Sequence, residues 1–258
     1  MARIAIVTGA SSGLGREFVK QLAKDKDIEE FWVIARRKER LEELQSFCSQ
    51  KVVALPMDLC DHESIAVLKE KLQEEQPGVR VLVCAAGLGK IGECRDLSDS
   101  QIDTMIDLNV RACVDVTQAC LPYVHKGSRI IEISSIAGFQ PMPAFGVYSA
   151  GKAFVQNYSK ALHYEMIGTG VHVTCVCPYW VKDTEFIHVA EKDNDQKARY
   201  RNKPLSSVSS SVVKIALRDS RLNLWVSTPG IVCTVDRVFA KFVPHCLVTP
   251  IMDLVSRL

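Results

Sequence analysis

At 258 residues the chain is near the upper size of one compact α/β unit and too short for two ordinary domains with separate cores. Hydrophobic residues at 47% and charged residues at 24% exclude a disordered, collagen-like or coiled-coil chain. The 32 basic and 30 acidic residues leave a formal charge of only +2, which excludes a whole-molecule field for nucleic acid or acidic lipid.

Short β-rich runs alternate with longer helical patterns along one domain, residues 1–258. Residues 3–8 read as a buried strand, 13–25 as a helix, 31–35 as a strand, 37–49 as a charged helix and 52–56 as a third strand. A helix opened by an acidic cap follows at 61–75, then a strand at 79–84 and two helical segments within 98–125. The series continues with a strand at 129–134, a helix at 148–167, a strand at 171–177, a helix at 206–218 and a seventh strand at 222–226. This rhythm predicts an α/β fold, a Rossmann-type doubly wound parallel sheet of about seven strands flanked by helices, with its ligand crevice beyond the carboxyl ends of the strands. Residues 179–204 are too long and polar for a routine connection and read as a lid, and 229–258 as an apolar segment at the substrate end.

The ten cysteines read as reduced thiols: Cys113 and Cys120 fall in a helical pattern, Cys175 and Cys177 alternate along a strand, and no CxxC pair occurs. Six scattered histidines form no metal-ligand constellation, so no metal is expected. The opening MARIAIVTGA lacks the pattern of a signal peptide, and the charge-free stretches 133–151 and 166–181 are interrupted by Gly, Pro, Ser and Thr. A cytoplasmic protein without a transmembrane segment is expected. In the lid, the basic residues Lys192, Lys197, Arg199, Arg201 and Lys203 are offset by Glu191, Asp193 and Asp195, which suits a solvated surface or a site for an acidic substrate tail.

Chemistry first appears in Thr8-Gly9-Ala10-Ser11-Ser12-Gly13-Leu14-Gly15, between the first strand and the first helix. Glycines there permit a tight backbone path, and the helix N-terminus offers free N–H groups to a pyrophosphate. The spacing TGxxxGxG, with Asn109 in LNV, Ser135 in EISSIAG and Tyr148-Ser-Ala-Gly-Lys152, resembles the short-chain dehydrogenase/reductase family in the family's order and over nearly the whole chain. VLVCAAGLG looks more like the 17β-type hydroxysteroid dehydrogenases than the sugar-modifying members.

Tyr148 and Lys152, four apart at a helix start, share a face, where an ammonium can lower a phenol from its usual value of about 10. Ser135 can donate to the substrate oxygen while a nicotinamide delivers hydride. The resemblance implies that Asn109 anchors the proton relay behind Lys152, and it selects Ser135 over Ser134 by its position thirteen residues before Tyr148. It places the cofactor against Gly9, Ser11, Ser12, Gly13, Leu14, Gly15, Arg36, Arg37, Asp58, Leu59, Ala85, Ala86, Gly87, Tyr148, Lys152, Pro178, Val181 and Thr184. Arg36 and Arg37, after the second strand, offer cationic donors to a 2′-phosphate, so NADP is favoured over NAD; Arg37 reads as the more readily solvated of the two. Asp58 could equally be a cap. Ala85 stands where the family often carries an amide side chain, and Pro178-Tyr179-Trp180 where it often has Pro-Gly; Tyr179 and Trp180 are either walls of the substrate site or ordinary core aromatics.

These residues imply an NADP(H)-dependent oxidoreductase interconverting a secondary alcohol and a ketone on a hydrophobic small molecule, with a hydroxysteroid or bile acid as the first substrate class. A 3-oxoacyl or other lipid carbonyl reductase and a non-catalytic, cofactor-bound interaction protein are the alternatives. Residues 178–180, the lid and the apolar stretch 231–247 are expected to enclose the substrate together. The resemblance also implies a homodimer or homotetramer paired through two helices; the apolar positions at 110–124 and 154–162 suit such a pairing, and core burial explains them equally well.

Overall fold

A computed structural model describes residues 1–192, 199–200 and 202–257. Seven parallel strands form one sheet in the order β3-β2-β1-β4-β5-β6-β7, comprising β1 (Arg3–Thr8), β2 (Glu30–Ala35), β3 (Lys51–Pro56), β4 (Gly78–Cys84), β5 (Val124–Ile133), β6 (His172–Val176) and β7 (Val226–Ser227). The inner strands read as near-continuous apolar runs because helices cover both of their faces. Along β1 the side chains alternate: Ala5 and Val7 join a core with Phe18 and Val213, whereas Ile4 and Ile6 join one with Leu68, Val116 and Leu162.

Helix α1 (Gly13–Leu22) buries Phe18, Val19 and Leu22 on one face. Helix α3 (His62–Glu75) starts at Asp61, whose carboxylate accepts from the Glu63 amide at 3.0 Å, and ends at Gln76 in the left-handed region. The charged helix expected at 37–49 is shorter: α2 (Lys38–Glu42) tightens into a 3₁₀ stretch, Glu43–Phe47, where the Ser46 hydroxyl donates to the Glu43 carbonyl at 2.7 Å. Between α4 (Asp99–Ile106) and α5 (Ala112–Cys120) the helix widens into a π turn, Asp107–Arg111, carrying Asn109. Helix α6 (Gly146–Glu165) presents Tyr148 and Lys152 in its first two turns.

The C-terminal third departs most from the expected pattern. The lid contains α7 (Phe186–Glu191), and α8 (Ser209–Arg221) runs on to Arg221, so the seventh strand is delayed to Val226–Ser227. Residues 229–258, punctuated by prolines, fold mainly into α9 (Ile231–Phe242) and α10 (His245–Arg257). All ten cysteines are free thiols. Among the described residues, no helix is long and apolar enough to cross a membrane and no acidic, His and Cys cluster could hold a metal ion.

Candidate active site

Strand order reverses between β1 and β4, and a cleft of ≈ 430 Å³ opens at their carboxyl ends, as the topology requires. Every residue expected to touch the cofactor, from Gly9 to Thr184, lines it, as do Ser135, Tyr179 and Trp180. Asn109 does not. It is buried behind the wall, its amide nitrogen donating to the Leu88 carbonyl at 2.7 Å and its oxygen accepting from the Leu88 amide at 3.0 Å. Asn109 thus clamps the chain leaving β4, and its side chain and the Lys152 ammonium flank the same residue, since a Cβ on Gly87 would lie 2.7 Å from the Asn109 oxygen and 3.4 Å from Lys152 Nζ.

The glycine loop fits a dinucleotide. Gly9 (φ +66°) passes so close to β4 that a Cβ would lie 2.8 Å from the Ala85 carbonyl oxygen, and a Cβ on Gly87 would lie 2.7 Å from the Asn109 oxygen. At the start of α1, Ser12 makes no side-chain cap, which leaves the first amides free for an anion. The departure at Ala85 costs little locally, since the Ala85 and Ala86 amides both donate to the Thr8 hydroxyl, at 3.0 and 3.1 Å. Above the loop, Thr184 packs toward Gly13 and donates to the Val181 carbonyl at 2.9 Å. Asp58 accepts from the Cys60 amide at 3.0 Å, the turn-capping arrangement, while Leu59 is buried in the core.

Beside this loop the two arginines diverge. Arg37 donates to the Ser11 hydroxyl at 3.2 Å and to the Glu185 carboxylate at 3.0 Å, while the Arg36 side chain is 71% exposed and stands 3.9 Å from Asp58. Arg37, read from sequence as the more solvated, is therefore the one tied to the phosphate-side loop.

Deeper in the cleft, Lys152 is buried and donates to the Ile133 carbonyl at 2.8 Å, its Nζ 5.6 Å from the centre of the Tyr148 ring. Burial pushes the Tyr148 phenol well above its ordinary value, and the hydrogen bond with Ser135 only partly opposes this; burial also lowers the Lys152 ammonium. Desolvation, not the Lys152 ammonium, thus sets the direction of the phenol's shift. The two serines separate clearly: Ser134 is buried and donates to the Lys152 carbonyl at 2.7 Å, whereas the Ser135 hydroxyl faces the cleft and accepts from the Ala137 amide at 3.1 Å.

The far end of the cleft is aromatic. Phe145 stacks on Tyr148 with centroids 4.4 Å apart, and Trp180 lies 6.1 Å from Phe145, 6.4 Å from Phe186 and 6.2 Å from Tyr200. Trp180 is thus a wall, and Tyr179 lines the cleft at its side. Phe145, Phe186, Tyr200, Met142 and Met252 also line it and were not singled out in the sequence; the spacing of Phe145 three residues before Tyr148 was the available signal. Residues 231–247 line no part of this cleft; Met252 of α10 does, because α9 packs beside the cleft with most of its apolar side chains outward. Of the basic lid residues, Lys197 and Arg201 lie outside the described residues, as do Asp193 and Asp195. Arg199 pairs with Asp253 and Lys203 with Glu191 at 2.7 Å, so neither is held ready for an acidic tail.

Comparison with known proteins gives this architecture a family. Residues 3–195 match the short chain dehydrogenase family, and the chain belongs to it. It is 36% identical over 195 residues to sulfoacetaldehyde reductase 2 of Chromohalobacter salexigens, covering 72% of this chain and 75% of that one. It is likewise 36% identical over 210 residues to the NADP-dependent 3-hydroxy acid dehydrogenase YdfG of Escherichia coli K12, covering 77% and 82%. Among solved structures, the closed form of serine dehydrogenase complexed with NADP⁺ superposes with a TM-score of 0.72 at 31% identity, covering 84% of this chain and 88% of that one. These relatives support the family and not the narrower likeness to 17β-type hydroxysteroid dehydrogenases.

Proposed function

We propose that the protein is an NADP(H)-dependent carbonyl reductase that interconverts a neutral, bulky ketone and its secondary alcohol, with fused-ring ketones such as steroids as members of that class. One observation carries this reading. Tyr148 lines one cleft with Arg36, Arg37 and Lys152 toward the glycine loop and Phe145, Trp180, Phe186 and Tyr200 at the other end, where the nearest described cation, Lys203 over the Trp180 ring at 5.2 Å, is already paired with Glu191 at 2.7 Å. A sulfonate or carboxylate, the group that the names of the sequence relatives imply for their own substrates, would have to compete with Glu191 for that ammonium. Support for NADP over NAD comes from Arg37 beside Ser11, and from the NADP dependence that the name of the hydroxy acid dehydrogenase carries.

When bound, the reduced nicotinamide supplies the hydride. The protein's own part is to place a carbonyl between Ser135 and Tyr148 and to complete the proton transfer. Burial keeps the Tyr148 phenol protonated at neutral pH, the form that gives a proton to the developing alkoxide, and the Ser135 hydroxyl donates a second hydrogen bond to the same oxygen. Lys152, fixed by the Ile133 carbonyl, keeps an ammonium beneath the ring to stabilise the phenolate left behind. Phe145, Trp180 and Phe186 exclude water from the reacting oxygen.

The test is Tyr148→Phe, assayed with NADPH and a fused-ring ketone. Turnover should fall by at least about a hundredfold, the usual scale of a lost general acid, while fluorescence titration shows NADPH affinity unchanged. Near-normal turnover by the variant, or a wild type that binds NADPH yet turns over no ketone, overturns the reading.

A further inference from the structure

The lid carries an acidic residue into the place where a 2′-phosphate would be read. Glu185, immediately before α7, accepts from Arg37 through Oε2 at 3.0 Å and from Arg40 through Oε1 at 2.5 Å, and it lines the cleft. Arg37 divides its donors between this carboxylate and the Ser11 hydroxyl of the glycine loop. A carboxylate gripped by two guanidinium groups beside a phosphate-binding loop imitates a bound phosphate. The next residue, Phe186, packs on the Tyr148 ring with centroids 5.4 Å apart, so the same short segment links the arginines to the reacting phenol.

We propose that Glu185 is an internal stand-in for the 2′-phosphate: it occupies Arg37 and Arg40 until the phosphate displaces it, and its displacement releases the lid helix α7. The inference rests on NADP being the cofactor. A 2′-phosphate brings more negative charge and more acceptor oxygens than one carboxylate and takes over the guanidinium donors. The exchange costs affinity, because a site closed by its own latch binds in proportion to the fraction of time it is open. A cofactor without the 2′-phosphate has nothing to exchange, so it binds with the latch in place and leaves the lid tethered. Glu185 therefore acts as a specificity element through the lid rather than by touching the reacting atoms.

Two nucleotides without nicotinamide isolate this effect: adenosine 2′,5′-bisphosphate and AMP, titrated by calorimetry into wild type and Glu185→Gln. For a latch closed nine times in ten, the substitution should tighten the bisphosphate about tenfold and shift AMP by less than about twofold. Hydrogen exchange in α7 should rise when wild type binds the bisphosphate, should not rise with AMP, and should already be high in the free variant. Equal tightening of both nucleotides, weaker bisphosphate binding by the variant, or α7 exchange unmoved by the bisphosphate overturns the latch. A wild type that binds AMP as tightly as the bisphosphate instead overturns the NADP reading on which the latch rests. If wild type prefers the bisphosphate and the variant behaves identically, that reading stands and the latch falls.

Discussion

Ser134 and Ser135 are adjacent and chemically identical, and strand alternation sends them to opposite duties: one ties α6 to the end of the sheet, the other faces the cleft. Ser134→Ala should lower the melting temperature, since it leaves the buried Lys152 carbonyl without this donor at a cost of roughly 1–3 kcal/mol, while turnover is largely kept. Ser135→Ala should do the reverse, and kcat beside a thermal melt for each variant separates them; matching losses in both variants would contradict the division. The sequence resolved this pair by spacing to Tyr148, but not Arg36 from Arg37. That choice depends on the backbone direction where β2 hands over to α2, and Ser11 and Glu185, which tether Arg37 beside the glycine loop, come from distant segments.

At the level of elements, β5 carries a carboxyl group into the core. Glu132 is fully buried between α5 and α6, accepting from Thr117 at 3.0 Å and from Ser159, with Cys113 and Tyr158 among its neighbours. Burial pushes its pKa from 4.5 up to about 7 against those hydrogen bonds. A folded acid with a raised pKa holds more protons than the unfolded chain, so its contribution is complete below about pH 4.5 and is lost as pH rises through about 7. Asp236, held by Gln140 on the inner side of α9 and raised to about 6, acts in the same direction. Glu132→Gln should therefore melt close to wild type at pH 5 and above it at pH 8, with Asp236 supplying the slope that remains. Parallel melting profiles for the two proteins would contradict this account. Element order and most boundaries were legible because apolar runs covered on both sides leave an unmistakable pattern at β1 and β4. Glu132 was not, since a lone acid in such a run reads as an edge or a bend until its hydroxyl partners from two other helices are known. The π turn at Asn109 was equally hidden, because its sequence continues an ordinary helical period.

For the whole molecule, the unassigned surface is apolar. Phe154 stacks on Tyr158 at the surface of α6, and Ile231, Val235, Val238, Phe239 and Phe242 form an exposed stripe along α9. The homo-oligomer proposed from the family resemblance would use the α5 and α6 faces. Light scattering at micromolar protein should then give a mass above the monomer, falling with Phe154→Asp, whereas a monomeric wild type would contradict it. Apolar periodicity made helices at the C-terminus legible but not their destination, so the sequence placed 231–247 over the substrate when, among the described residues of that end, Met252 reaches the cleft and 231–247 do not. The central claim is that one cleft joins NADP to a neutral, bulky ketone, and its direct measurement is kcat/KM at fixed NADPH across three substrate types: a fused-ring ketone, sulfoacetaldehyde and a 3-oxoacyl thioester. Burial of several ring methylenes against Phe145, Trp180 and Tyr200, at roughly 0.8 kcal/mol each before ordering costs, should put the fused-ring ketone ahead by at least about a hundredfold. Higher efficiency with sulfoacetaldehyde or the thioester would contradict the account.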